Sequence, residues 1–120
     1  MHSGSHRLAI RNKVWLEAGR RFVLGDGGIE LLQAIQARGS LRAASAHVGW
    51  SYRHALTYLT KAEAALGYRL VRRVRGGDDR GGAVLTAEGR DFLRRYTLFR
   101  RRLNRSLYRL YQSAFGTRLG

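Results

Sequence analysis

The chain has 120 residues, 44% of them hydrophobic, with 23 Lys+Arg against 8 Asp+Glu and a formal net charge of +15. That length fits one compact domain with short appendages, the apolar fraction excludes wholesale disorder, and the absence of Cys excludes disulfides and thiolate metal sites. So large a charge speaks about partners, and a polyanion is the natural one, because each phosphate neutralised releases condensed counterions.

Residues 1–12 are read as a flexible tail that begins Met1-His2-Ser3-Gly4-Ser5-His6. Residues 14–17 and 21–24 are short β-prone runs around Ala18-Gly19-Arg20, the pattern of a small hairpin. Gly25-Asp26-Gly27-Gly28 reads as a turn, with Asp26 as a cap for the helix that follows. Ile29, Leu31, Leu32 and Ile35 give near-helical spacing over 29–37, and Gly39 stops that helix. Ser40 caps a short second helix over 41–48, apolar along Leu41, Ala44 and Val48. A tight turn at Val48-Gly49-Trp50 leads to Ser51, the cap of a third helix to about Leu66, with Ala55, Leu59, Ala62 and Leu66 as its buried stripe. Gly67 ends it.

Two more β-prone runs, 70–75 and 83–85, enclose a glycine-rich tip over 76–82. Thr86 caps the last helix, and Glu88 and Asp91 are placed in its first turn, where the positive dipole end favours carboxylates. No acidic residue follows Asp91. Helix, short helix, glycine turn, helix and β-hairpin form a mainly α fold with small hairpins, a winged helix-turn-helix. The domain is placed at 13–85, and 86–120 is a long basic helix.

The sequence from Gly39-Ser40-Leu41-Arg42-Ala43-Ala44 to Gly49-Trp50-Ser51-Tyr52-Arg53 is similar to the helix-turn-helix of LysR-type and molybdate-responsive (ModE-type) regulators. Leu70-Val71-Arg72-Arg73, Gly76-Gly77 and Gly81-Gly82-Ala83-Val84-Leu85-Thr86-Ala87-Glu88-Gly89 resemble the ModE-type wing and the start of its linker helix. Asp78-Asp79-Arg80 interrupts the glycine run usual in that wing. The oxyanion-binding module that follows the linker in full-length ModE-type regulators has no counterpart before Gly120, so molybdate or another oxyanion is not expected as a ligand of this chain. The resemblance implies a bacterial, cytoplasmic, homodimeric transcriptional regulator that binds double-stranded DNA.

In such a fold the third helix lays its N-terminal half in the major groove, which makes Ser51, Tyr52, Arg53, His54 and Thr57 the candidates for base contact. Arg53 is the first choice for a guanine edge, with a phosphate clamp as its alternative. Tyr52 suits a sugar or a thymine methyl, and His54 is more often a solvated helix residue than a reader. Ser40 and Arg42 open the second helix, where a phosphate can meet backbone amides, or where Arg42 is simply an exposed charge. Arg72, Arg73, Arg75 and Arg80 flank or tip the wing, and the alternative there is a solvated loop. Nearly all the basic residues are Arg, whose planar fork suits phosphate and guanine, although a GC-rich genome also enriches Arg.

Phe92, Tyr96, Phe99, Leu103 and Leu110 follow steps of four and three in the last helix, with Ser106 interrupting and Leu93 and Leu107 widening the stripe. This resembles a coiled-coil seam, and dimerisation is expected through Phe92, Tyr96, Phe99, Leu103, Leu107 and Leu110. The alternative is a stripe packed on its own domain, because the flanking arginines repel in a symmetric pair. No catalytic constellation, metal site or cofactor motif stands out, and no apolar run reaches the roughly 20 residues that span a bilayer. An architectural DNA-binding protein of low specificity and a protein-interaction module with a basic helix are the alternative functions.

Overall fold

The computed structural model describes residues 7–74 and 81–116. In chain order these form β1 (Trp15–Ala18), β2 (Arg21–Gly25), α1 (Asp26–Arg38), α2 (Leu41–Val48), α3 (Tyr52–Leu66), β3 (Val71–Val74), β4 (Gly82–Leu85) and α4 (Ala87–Tyr111). A wider final turn covers Gln112–Gly116. The two strand pairs are separate antiparallel hairpins, β1 with β2 and β3 with β4. The winged helix-turn-helix with a long C-terminal helix is therefore the fold.

α1 is the central element. Its Leu31, Leu32 and Ile35 are fully buried and meet Leu24 of β2 and Leu70 ahead of the wing in one core. Burying each such side chain favours folding by about 1.5–3 kcal/mol. Ala44, Ala55 and Ala62 are also fully buried, and side chains this small let α2 and α3 approach closely. Gly39, Gly49 and Gly67 end α1, α2 and α3 in the left-handed region, at φ 72°, 82° and 85°. Glycine occupies that region without a Cβ penalty.

Two expectations need correction. Gly25-Asp26-Gly27-Gly28 is not a turn: α1 begins at Asp26, with Gly25 in the capping position and no side-chain cap. The glycines serve packing instead, for a Cβ on Gly28 would come within 2.5 Å of the Tyr58 hydroxyl. Asp91 lies beyond the first turn of α4, which holds Glu88 alone as an acid. Asp91 pairs instead with Arg94 and, at 2.8 Å, with Arg95.

The tail expected over 1–12 is described from Arg7 onward, and there it is fastened to α4. Arg100 donates to the side chain of Asn12, and the Tyr111 hydroxyl donates to the Leu8 carbonyl at 2.7 Å. Residues 1–6 lie outside the described residues.

Candidate nucleic-acid interface

Both helix starts of the helix-turn-helix are fixed by serine. The Ser40 hydroxyl accepts from the Ala43 amide and the Ser51 hydroxyl from the His54 amide, each at 3.0 Å. Such caps contribute about 1 kcal/mol apiece. Between them the Trp50 amide donates to the Ser45 carbonyl at 2.9 Å, closing the turn behind Gly49. The Trp50 ring packs against the core and meets Tyr58 (centroids 4.9 Å) and His54 (4.4 Å). His54 is thus held edge-on to an indole while still exposed.

Arg53 and Thr57 are exposed on the same helix, with no salt bridge to Arg53 among the described residues. Tyr52 is half-buried and joins three elements. The Arg42 guanidinium of α2 lies 4.4 Å from its ring centroid, and Arg73 of β3 donates to its hydroxyl. A cation over an aromatic face is worth about 0.5–1 kcal/mol at an exposed site, enough to bias the arginine's conformation. One tyrosine therefore gathers Arg42 and Arg73 beside the start of α3. Arg72 is exposed one residue earlier on the same strand. Ser40, Arg42, Ser51, Tyr52, Arg53, His54, Thr57, Arg72 and Arg73 all have described positions, whereas Arg75 and Arg80 lie outside the described residues.

The wing is latched to the helices by residues outside the predicted contact set. Glu63, near the end of α3, accepts from the Leu70 and Val71 amides at 2.7 and 3.0 Å and pairs with Arg69 at 3.3 Å. An acid in the last turns of a helix opposes the dipole there, and that oddity was the available clue. The Thr86 hydroxyl donates to the Arg69 carbonyl at 2.7 Å and accepts from the Gly89 amide at 2.8 Å. The Ala83 amide donates to the Gly39 carbonyl at 2.9 Å, tying β4 to the end of α1. The joint between strand and last helix is close enough that a Cβ on Gly89 would overlap the Leu70 carbonyl.

The apolar stripe of α4 divides. Tyr96 is buried at 4% exposure, and its hydroxyl donates to Asp26 at 2.6 Å. Tyr96 is thus packed against its own domain. Phe92, Leu103 and Leu107 are half-buried, while Phe99 and Leu110 are exposed at 44% and 69%. Asp26 also pairs with Arg100 at 2.8 Å. Burial alone raises the Asp26 carboxyl, but the hydrogen bonds from Tyr96 and Arg100, with the charge of Arg100, hold it below its ordinary 3.8. Burial first, and then the same carboxylate, push the Tyr96 hydroxyl well above the usual tyrosine range.

Among the described residues no group of three or more His, Asp or Glu could hold a metal ion, and no helix is long and apolar enough to cross a membrane. No protein-family profile and no curated protein matches the sequence. Among solved structures, the chain is similar to that of the CbnR DNA-binding domain in complex with DNA. The TM-score is 0.58 and the identity 25%, over 72% of this chain and 94% of that one. The likeness supports a winged helix domain of LysR-like build.

Proposed function

We propose that this chain binds double-stranded DNA sequence-specifically and regulates transcription, as a ModE-type relative of the LysR-like domains. The observation that carries the reading is the Tyr52 junction, which holds Arg42 and Arg73 beside the exposed first turns of α3. The similar CbnR domain was solved on DNA, which supports the same class of partner here.

In this reading α3 enters the major groove and Arg53 addresses a guanine edge, with His54 and Thr57 beside it. Arg42, at the N-terminus of α2, meets a phosphate together with the first backbone amides of that helix. Arg72 and Arg73 take the neighbouring backbone from the wing side. Tyr52 acts chiefly by positioning, since Arg42 covers its ring and Arg73 engages its hydroxyl. Operators with two half-sites about one helical turn apart suit two copies of such a domain.

The test is recovery of genomic fragments on the purified chain at about 0.15 M salt, followed by sequencing, with the Arg53→Ala variant in parallel. A few enriched sites sharing one motif are expected. Arg53→Ala should weaken binding to them by about 1–3 kcal/mol and relax preference at one position. Broad recovery without a motif would give the chain to low-specificity, architectural binding.

A further inference from the structure

Along α3, Ala55, Leu59 and Ala62 are buried, and the larger apolar side chains of Tyr52, Tyr58 and Leu66 are half-buried. Leu56 is the exception, exposed at 41% in the second turn. A single exposed leucine is ordinary on a protein surface, so its place decides what it means. It stands one helical turn after Tyr52 and Arg53 and next to Thr57. Two turns further along the same flank is Glu63. Arg73 donates to the Tyr52 hydroxyl, and the Leu70 and Val71 amides donate to Glu63, so this flank of α3 faces the wing strand β3. Leu56 therefore lies where the exposed face of α3 borders the wing.

The polar groups on either side of it are already engaged. Thr60, one turn on, donates its hydroxyl to the Leu56 carbonyl at 2.8 Å. The Tyr52 ring is covered by Arg42, and its hydroxyl takes Arg73. At this point on α3 a base edge meets hydrocarbon, with no free donor or acceptor beside it. The group of the major groove that suits hydrocarbon is the 5-methyl of a pyrimidine, which sets thymine apart from the other bases of unmodified DNA. Phosphates met by Arg42 and Arg73 fix the depth at which α3 sits. From Arg53 to Leu56 the helix rises about 4.5 Å, against roughly 3.4 Å of duplex axis per phosphate on one strand. The two side chains therefore address neighbouring base pairs, one by hydrogen bonds and the other by burial.

We propose that Leu56 is a specificity-determining residue that reads the 5-methyl group of a pyrimidine, at one position per half-site, beside the pair that Arg53 addresses. This role rests on the DNA-binding reading above and adds to it a contact that no hydrogen-bonding residue supplies. Thymine offers the methyl in unmodified DNA, and 5-methylcytosine offers the same group in methylated DNA. Loss of that one buried methyl should weaken binding about fourfold per half-site.

The experiment selects binders from a pool of random synthetic duplexes at about 0.15 M salt, with the full-length chain and with Leu56→Ala in parallel. The parent motif should contain a T·A pair whose preference Leu56→Ala loses while the rest of the motif stays. On the parent-selected duplex, deoxyuridine in place of that thymidine removes the methyl and leaves every hydrogen-bonding group. That change should weaken the parent about fourfold per half-site. With C·G at the same position, methylation of the cytosine should strengthen the parent by a similar factor. Leu56→Ala should bind the methylated and unmethylated duplexes of each pair equally well. Leu56→Met, which keeps an apolar side chain of similar volume, should retain the discrimination. Arg53→Ala should weaken the thymine and uracil duplexes alike and leave the ratio between them unchanged. A uracil effect without a 5-methylcytosine effect would assign the contact to thymine alone. No uracil effect at any thymine of the motif, or one just as large in Leu56→Ala, would overturn the assignment and leave the DNA reading standing. A lowered Tm in Leu56→Ala with no methyl effect would overturn it in favour of packing against the wing. Selection of no motif by the parent would overturn both readings together.

Discussion

The molecule has two basic faces, and they differ in how their arginines are held. On the α2–α3–wing face, Arg42 and Arg73 converge on one tyrosine, and the strand bearing Arg73 is latched to α3 through Glu63. On α4, ion pairs hold Arg94, Arg95 and Arg100, while Arg101, Arg102, Arg105 and Arg109 have none among the described residues. A cation fixed in place reads a target whose geometry is already set, such as a base edge or a phosphate. Arginines with no ion pair among the described residues, such as Arg102 and Arg109, suit a partner that brings its own geometry. Composition gives both faces the same label; the neighbours of each arginine separate them.

The comparison can be broken most forcefully at Gly89. A Cβ there would lie 2.1 Å from the Leu70 carbonyl oxygen, so Gly89→Ala must move either α4 or the segment that leads into the wing. Overpacking against backbone should cost about 3 kcal/mol or more, roughly 10 °C in Tm. Gly67→Ala is the internal control: its φ is +85° but the Cβ meets nothing within 4 Å. Only the left-handed penalty of about 1–2 kcal/mol is expected there. Similar Tm losses for the two variants would mean the joint is looser than its geometry.

The next effect isolates the latch. Glu63→Ala leaves the part-buried Leu70 and Val71 amides without their acceptor, at about 1 kcal/mol each. Glu63→Gln keeps one acceptor oxygen and should lose about half as much. Amide hydrogen exchange at Leu70 and Val71 is the sharper readout, since both should speed up in Glu63→Ala while the α4 amides beyond Asn104 do not. A uniform loss of protection along the chain would show that the latch supports the whole fold, not the wing alone.

The elements were largely legible because their boundaries are local chemistry. Ser40, Ser51 and Thr86 cap the helices for which the sequence nominates them, and Gly39, Gly49 and Gly67 end them. The start of α1 was not legible, because Gly27 and Gly28 look like turn residues until Tyr58 and Trp50 are seen beside them. Nor was the partnership of Tyr52, whose two arginines come from α2 and from a strand twenty-odd residues away. The heptad of α4 was visible as a stripe. That Tyr96 of this stripe is buried on Asp26 depends on a contact across 70 residues, which periodicity does not contain.

The smallest effect sharpens the comparison from the α4 side. Asp26 anchors the middle of α4 to the start of α1, because it accepts from Tyr96 and pairs with Arg100. Its carboxyl titrates below the ordinary 3.8, so the folded state favours the charged form. That contribution is fully present above the unfolded value and is lost as pH falls through the lower, folded one. Thermal unfolding should therefore be insensitive to this group near neutrality and lose its contribution only on acidification below about 3.8. The Asp26 side chain is 44% exposed, so solvent screens the pair and the change in Tm should be modest. In Asp26→Asn the acid-side slope should be shallower than in the parent. Affinity for a DNA site at neutral pH should stay within twofold, since Asp26 contacts α4 and none of Arg42, Tyr52, Arg53 or Arg73. A large loss of DNA affinity in that variant would instead show that the two faces are coupled through α1, and that the held and the free arginines belong to one surface.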